Sequence, residues 1–319
     1  MGISEEDRLD PRLKLRHLMI VTAIAQHGSV LGAADALFLT QPVVSRALQE
    51  LEAILGVRLF DRGPRGVTPT ESGRSFVERA LAVQAELRLA TEHLNDLADG
   101  RTGTLTIGTF VTAAPLLVPN AILELRRHRP GLRVTVREGT VDDLLAGVLS
   151  GEIDAVAGRA PRVGDERLAY EELYREPTVA VAAVDHPVFA SGRPPALEDL
   201  MTFPWVLPLP ETDLRRELQD LFAARPREVI ECSTAATVRH LLRQGEHLGI
   251  LPFLIAREDP ELAVVPTALP TVSWSIGVTT RRTANPGAAT TGLLAAFRQV
   301  AEPIRQELDL WIDRHYPGR

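Results

Sequence analysis

Gln41, Ser45, Arg46 and Gln49 occur within the stretch QPVVSRALQELEAILG. On a helix their spacing puts four polar side chains on one side. That set can read base edges in a major groove. A Gln amide can bond adenine bidentately, an Arg guanidinium can bond guanine, and a Ser hydroxyl can reach a base edge or a phosphate. Arg62 and Arg65 flank a Gly/Pro tip, where they could enter a minor groove or pair with phosphates. Ser29 opens a helix, and its hydroxyl with the free backbone N–H groups could hold a phosphate. The same residues would also suit the solvated face of an ordinary three-helix bundle. Acidic Glu50, Glu52 and Asp61 dilute the basic signal, so residue types leave both readings open.

The elements that must hold this face are short and sharply bounded. In LKLRHLMIVTAIAQHG, Leu15, Leu18, Met19, Thr22, Ala23 and Ala25 make a mostly apolar helix, with Gly28 as its stop. Ser29 can cap a second helix, whose Ala33, Ala34 and Ala36 permit close crossing. A turn at Phe38 and Leu39 leads to Thr40, a second cap. Pro42 falls in the first turn of the third helix, where its missing N–H is not needed. Val44, Leu48, Leu51 and Leu55 form the buried side of that helix, Gly56 ends it, and VRLFDRGPRGVTPT reads as a two-stranded wing.

The stretch from Leu15 to Gly73 closely resembles the DNA-binding module of the LysR family of transcription regulators. The resemblance is carried by GSV…AAxAL, TQPVVSRALQELE, LGVRLFDR and TPTESG, without a gap over roughly sixty residues. It implies that Gln41, Pro42, Ser45, Arg46 and Arg62 face double-stranded operator DNA. Phe38-Leu39 departs from the family pattern in being more apolar than a typical turn. Within the family, RLKLRHL and SRALQELE look most like the regulators of the galactose-binding-protein and protocatechuate-pathway groups.

A helix without Pro follows over residues 70–98. Phe76, Ala80, Val83, Leu87, Ala90, Leu94 and Leu97 alternate at spacings of four and three, an a/d seam that predicts a homodimer. A helix lying on its own domain would show a broader apolar stripe. A two-fold dimer would set two recognition helices on the half-sites of a dyad operator.

From residue 104 the order strand–helix–strand–helix–strand implies a parallel sheet with right-handed crossovers. A second α/β set follows, then the strand TVSWSIGVTTR and a last helix. The expected fold is a winged helix-turn-helix over 12–69, a linker helix, and a bilobal α/β domain over 104–305, with a tail over 306–319. The bilobal domain resembles the periplasmic-binding-protein fold that forms the family's effector domain, with lobes at 104–170 plus 271–305 and at 171–270. That resemblance implies a small-molecule effector, an organic acid or sugar-like compound, between the lobes. Thr109, Thr112, Thr140, Ser233 and Thr234 stand at strand ends or helix starts there, although plain helix capping would explain each of them too.

Composition removes other classes. Cys232 is the only cysteine, which excludes an internal disulfide and a Cys-rich zinc site. Lys14 is the only lysine, which argues against Schiff-base chemistry. No dinucleotide fingerprint, P-loop or Ser-His-Asp signature is present, so neither an enzyme nor a cofactor or metal site is expected. The net charge of −7 leaves room for a local basic footprint. An acidic start without an apolar core segment reads as cytoplasmic. That start counts against the main competitor, an exported solute receptor, which would also leave the DNA module unexplained. The expected assembly is a homodimer extending to a homotetramer, with RNA polymerase admitted as a further partner and no membrane.

Overall fold

Each helix of the N-terminal module ends where the backbone can reverse. Helix α1, Leu15–His27, stops at Gly28 with φ 63°. Helix α2, Val30–Ala36, starts on Ser29, whose hydroxyl oxygen accepts from the Gly32 N–H at 2.9 Å. Helix α3, Gln41–Leu55, carries Pro in its first turn and stops at Gly56 with φ 67°. Thr40 holds the N-cap position through its carbonyl alone, without a side-chain hydrogen bond. Val21, Ile24, Ala33, Val44, Leu48 and Leu51 close the core between the three helices. Strands β1, Phe60–Gly63, and β2, Gly66–Pro69, pair antiparallel as the wing. This computed structural model describes residues 10–63, 66–99, 103–110, 113–161, 164–218, 226, 228–267, 273–283 and 286–315.

Helix α4, Glu71–Asp99, meets three environments. Phe76, Val77 and Ala80 pack into the helix-turn-helix core, and Gln84 donates to the Thr22 hydroxyl at 3.0 Å. Ala85 is buried against Gly151 of the C-terminal region. Val83 and Leu87 remain 46% and 45% exposed, and Ala90 is exposed with them. The expected seam therefore divides. Phe76 and Ala80 are absorbed by their own module, because α1 lies across the first turns of α4. Val83, Leu87 and Ala90 continue the stripe beyond that cover. Leu94 and Leu97 are on the same helix, with side chains outside the described part.

The C-terminal region is built on strands β3 to β11. β3 (Thr104–Thr109), β4 (Arg133–Glu138) and β5 (Ala155–Arg159) are parallel in the order β4-β3-β5. Helices α5 (Leu117–His128) and α6 (Val141–Ser150) connect them. β6, Leu168–Ala183, is one sixteen-residue strand. A 3-10 turn (Pro187–Phe189) and helix α7 (Leu197–Leu200) lead into the second lobe. There β7 (Trp205–Leu207), helix α8 (Asp213–Glu217), β8 (Val229–Glu231), helix α9 (Ala235–Arg243), β9 (Leu248–Pro252), helix α10 (Phe253–Arg257) and β10 (Leu262–Val264) follow in turn. β11, Ser273–Arg281, and helix α11, Ala288–His315, return to the first lobe.

Two expectations change. The lobes were expected to meet at residue 170, but β6 runs through both sheets. It pairs with β11 as far as Pro177 and with β9 from Thr178, so the lobes meet near residue 177. A continuous run of β-forming residues has no local signal to mark that change of partner. The expected tail is also largely helix, since α11 runs on to His315. Leu308 is fully buried, and Trp311 packs on Phe253 with ring centroids 4.6 Å apart. No single helix among the described residues is long and apolar enough to cross a membrane.

Candidate nucleic-acid interface and ligand cleft

Helix α3 is divided cleanly by its neighbours. Val44, Ala47, Leu48 and Leu51 are buried, whereas Gln41, Pro42, Arg46 and Gln49 are exposed and Ser45 is half-buried. Four polar side chains and a proline-containing first turn thus lie on the side of α3 away from the core. Ser29 lies half-buried at the start of α2, and its hydroxyl oxygen caps that helix by accepting from the Gly32 N–H. Arg62 stands in β1 with its side chain outside the described part, and Arg65 lies outside the described residues.

Two of the three acidic residues that dilute the basic signal are held by the fold, while Asp61 is exposed on the wing. Glu50 lies 3.8 Å from Lys14, 3.2 Å from Arg16 and 3.6 Å from His17. Burial pushes its carboxyl up, but Lys14, His17 and Arg16 beside it outweigh this and hold it below its ordinary value. Glu52 accepts from the Leu59 N–H at 2.8 Å and the Phe60 N–H at 3.3 Å, which fixes the start of the wing. Neither carboxylate needs to repel a phosphate backbone. Only the folded chain brings residues 14–17 to position 50.

In the C-terminal region the strand directions define a cleft. β3 and β5 run towards the lobe boundary from one side, and β7, β8 and β9 run towards it from the other. Strand C-termini therefore face each other across β6. Arg159, the last residue of β5, is level with Tyr174 through Ile276, and Pro252, the last of β9, pairs with Thr178. The two rims stand four residues apart along β6, about 13 Å.

The predicted hydroxyls are placed unevenly. Thr109 is buried, and its hydroxyl can donate only inward, to the carbonyls of Phe110 at 3.2 Å and Ala157 at 3.3 Å. Thr140 is an ordinary cap, accepting from the Asp143 N–H at 3.2 Å and donating to its carboxylate at 2.7 Å. Thr112 lies outside the described residues. Ser233 and Thr234 are exposed at the start of α9, and Thr234 makes no side-chain cap bond. α9 is held by Arg239 and Arg243, which both donate to the buried Asp259 at 2.8 Å. Cys232 is half-buried beside this end, with its N–H donating to the Leu207 carbonyl.

Sequence reasoning missed a buried polar row on β6 where the two lobes meet. Tyr174, Glu176 and Thr178 alternate along β6 and so share one face. Each is buried, and Tyr174 Oη, Glu176 Oε2 and Thr178 Oγ1 have no hydrogen-bond partner among the described residues. The other Glu176 oxygen accepts from the Leu254 N–H at 3.0 Å, and Arg159 lies 4.0 Å over the Trp274 ring beside it. Burial pushes the Glu176 carboxyl up to about 8, against the pull of the Leu254 N–H, Arg159 and Arg257. The folded protein thus keeps a proton that the unfolded chain releases, and stability falls as pH rises from about 4.5 to about 8. Glu176→Gln should flatten that fall. Melting curves across this range check it, and an unchanged pH profile would refute it.

The linker helix also meets the first lobe. Glu86 pairs with Arg281 at 2.8 Å, Glu78 with Arg167 at 3.5 Å, and Arg88 donates to the Gly151 carbonyl. A cavity of about 290 Å³ lies in this seam, lined in part by Arg88, Arg281, Arg282, Asp154 and Thr290.

Comparison with known proteins agrees with this layout. Residues 15–74 match the model of the bacterial regulatory helix-turn-helix protein, lysR family, and residues 98–302 match the LysR substrate binding domain. The regulator GbpR of Azospirillum brasilense is 34% identical over 254 residues, covering 78% of this chain and 74% of its own length. PcaQ of Agrobacterium fabrum is 26% identical over 303 residues, covering 92% and 96%. Full-length OxyR C199D from Pseudomonas aeruginosa superposes with a TM-score of 0.66 at 23% identity, covering 89% of this chain and 97% of that one.

Proposed function

The chain belongs to the LysR family of DNA-binding transcription regulators, which are not enzymes, and we propose that it acts as an effector-gated homodimer reading a dyad operator. The observation that carries this reading is the exposed polar side of α3, held on a rigid core with its acidic neighbours already paired. Gln41, Ser45, Arg46 and Gln49 read base edges, Pro42 sets the first turn, and Ser29, Arg62 and Arg65 contact the backbone or minor groove. A small organic acid or sugar-like molecule binds between the lobes, where Ser233 and Thr234 offer exposed hydroxyls at the start of α9. Two such dimers assemble as a tetramer in the cytoplasm, with RNA polymerase as the further partner on the promoter.

Effector binding must favour one arrangement of the lobes over another, or it changes nothing. The ion pairs between α4 and the first lobe give that difference a path to the DNA-binding module. The test is equilibrium binding to the duplex directly upstream of the gene, with and without a panel of organic acids and sugars. Binding to the duplex, altered by a compound that also raises the melting temperature, supports the reading. Failure to bind any duplex would remove it. The uncovered stripe on α4 makes a separate prediction. Val83→Glu with Leu87→Glu should shift the protein to monomer in sedimentation and abolish cooperative occupancy of the two half-sites. A dimer that persists would place the interface elsewhere.

A further inference from the structure

Helix α2 ends in an unexpected way. The Leu39 N–H donates to the Ala34 carbonyl and the Phe38 N–H to the Asp35 carbonyl, which is the Schellman arrangement with Phe38 as its left-handed residue. Glycine takes that place after α1, α3 and α6, with φ of 63°, 67° and 73°. Phe38 has φ 55°, and it is the one non-glycine with positive φ among the described residues. A bulky aromatic is strained in this region, and residues held there by the surrounding structure cluster at binding and active sites.

The fold does not require it. Phe38 is 97% exposed, so its ring contributes nothing to the core. Leu39 and Val43, which follow it in the chain, are exposed too and line a surface pocket together with Arg46 of α3. Phe38 precedes by three residues the Gln41 that opens the side of α3 proposed to read base edges. The apolar feature in a major groove is the thymine methyl, and deoxyribose offers a second apolar surface at its edge.

We propose that Phe38 is an apolar DNA contact that adds affinity for the operator through its ring. The inference rests on α3 being the reading helix. Its ligand is the apolar edge of duplex DNA, a thymine methyl or a sugar face.

The test uses the full-length protein and the duplex selected by it from a random-sequence pool. Phe38→Gly removes the ring and suits the left-handed backbone. It should bind about tenfold more weakly, the scale of losing partial burial of an aromatic side chain, with no fall in melting temperature. Phe38→Leu should keep most of the affinity and Phe38→Asn should not. Replacing thymines by deoxyuridine one at a time identifies the methyl if one substitution weakens the wild type and leaves Phe38→Gly unaffected. If no position responds while Phe38→Gly still binds weakly, the contact is to sugar. Equal binding by wild type, Phe38→Gly and Phe38→Asn overturns the proposal. So does normal DNA affinity with lost transcriptional activity, which would assign the ring to a protein partner. Arg46→Ala as a parallel arm keeps the two readings apart. If it binds weakly while Phe38→Gly binds normally, only the present inference fails.

Discussion

Arg46→Ala is expected to weaken operator binding by about ten- to a hundredfold, the loss of one bidentate base contact worth about 1–3 kcal/mol. Arg46 is exposed on α3, on the side away from the core residues Val44 and Leu48, so its removal leaves the packing intact. Alanine is also a good helix former, and the melting temperature should stay close to that of the wild type. Gln41→Ala should behave alike, with its loss confined to a different base position. Arg46→Lys separates the alternatives: a phosphate contact would survive with the charge, whereas a bidentate base contact would not. Titrations at several salt concentrations add a second readout, because losing a phosphate contact lowers the salt slope by about one. Wild-type affinity in both alanine variants would mean that this side of α3 does not touch DNA.

Gly73→Ala should have the largest effect on stability. A Cβ at this position would stand 1.9 Å from the Leu59 carbonyl oxygen and 2.9 Å from its carbon, both of them backbone atoms. The approach is built by Thr70, whose N–H donates to Leu59 O at 2.9 Å and whose hydroxyl accepts from the Gly73 N–H at 2.9 Å. Glu52 holds the same wing segment from the other side. No flexible side chain can yield, so either the wing or the first turn of α4 must move. Overpacking against backbone puts the destabilisation at about 3 kcal/mol. Calorimetry should show an early transition of the N-terminal module with loss of DNA binding, while the bilobal domain melts as before. A variant as stable as the wild type would show that the close packing of α4 on the wing is absent.

The DNA-binding module was legible because its determinants are local. Glycines at helix ends, a proline in a first turn and apolar spacings of three and four act over a few residues, and the family resemblance runs through them without a gap. The ligand cleft was less legible. Thr109 and Ser233 look alike as hydroxyls at strand ends, yet one turns to the Ala157 carbonyl and the other to solvent. A side chain's direction depends on which backbone groups from distant strands reach it first.

The amino-acid sequence by itself determined the helix-turn-helix, the polar side of its third helix, the long helix and the two-lobed α/β class. Those properties follow from periodicity and short-range backbone preference. Tertiary structure decided which residues are still available for partners. It paired Glu50 with bases more than thirty positions away, buried Ala80 against α1 while leaving Val83 and Leu87 uncovered, and buried Glu176 where the lobes meet. It also left Phe38 in the open, because a Schellman turn fixes the backbone there and no neighbouring element reaches the ring. Burial and pairing are properties of contacts between segments far apart in the chain, and local pattern does not encode them.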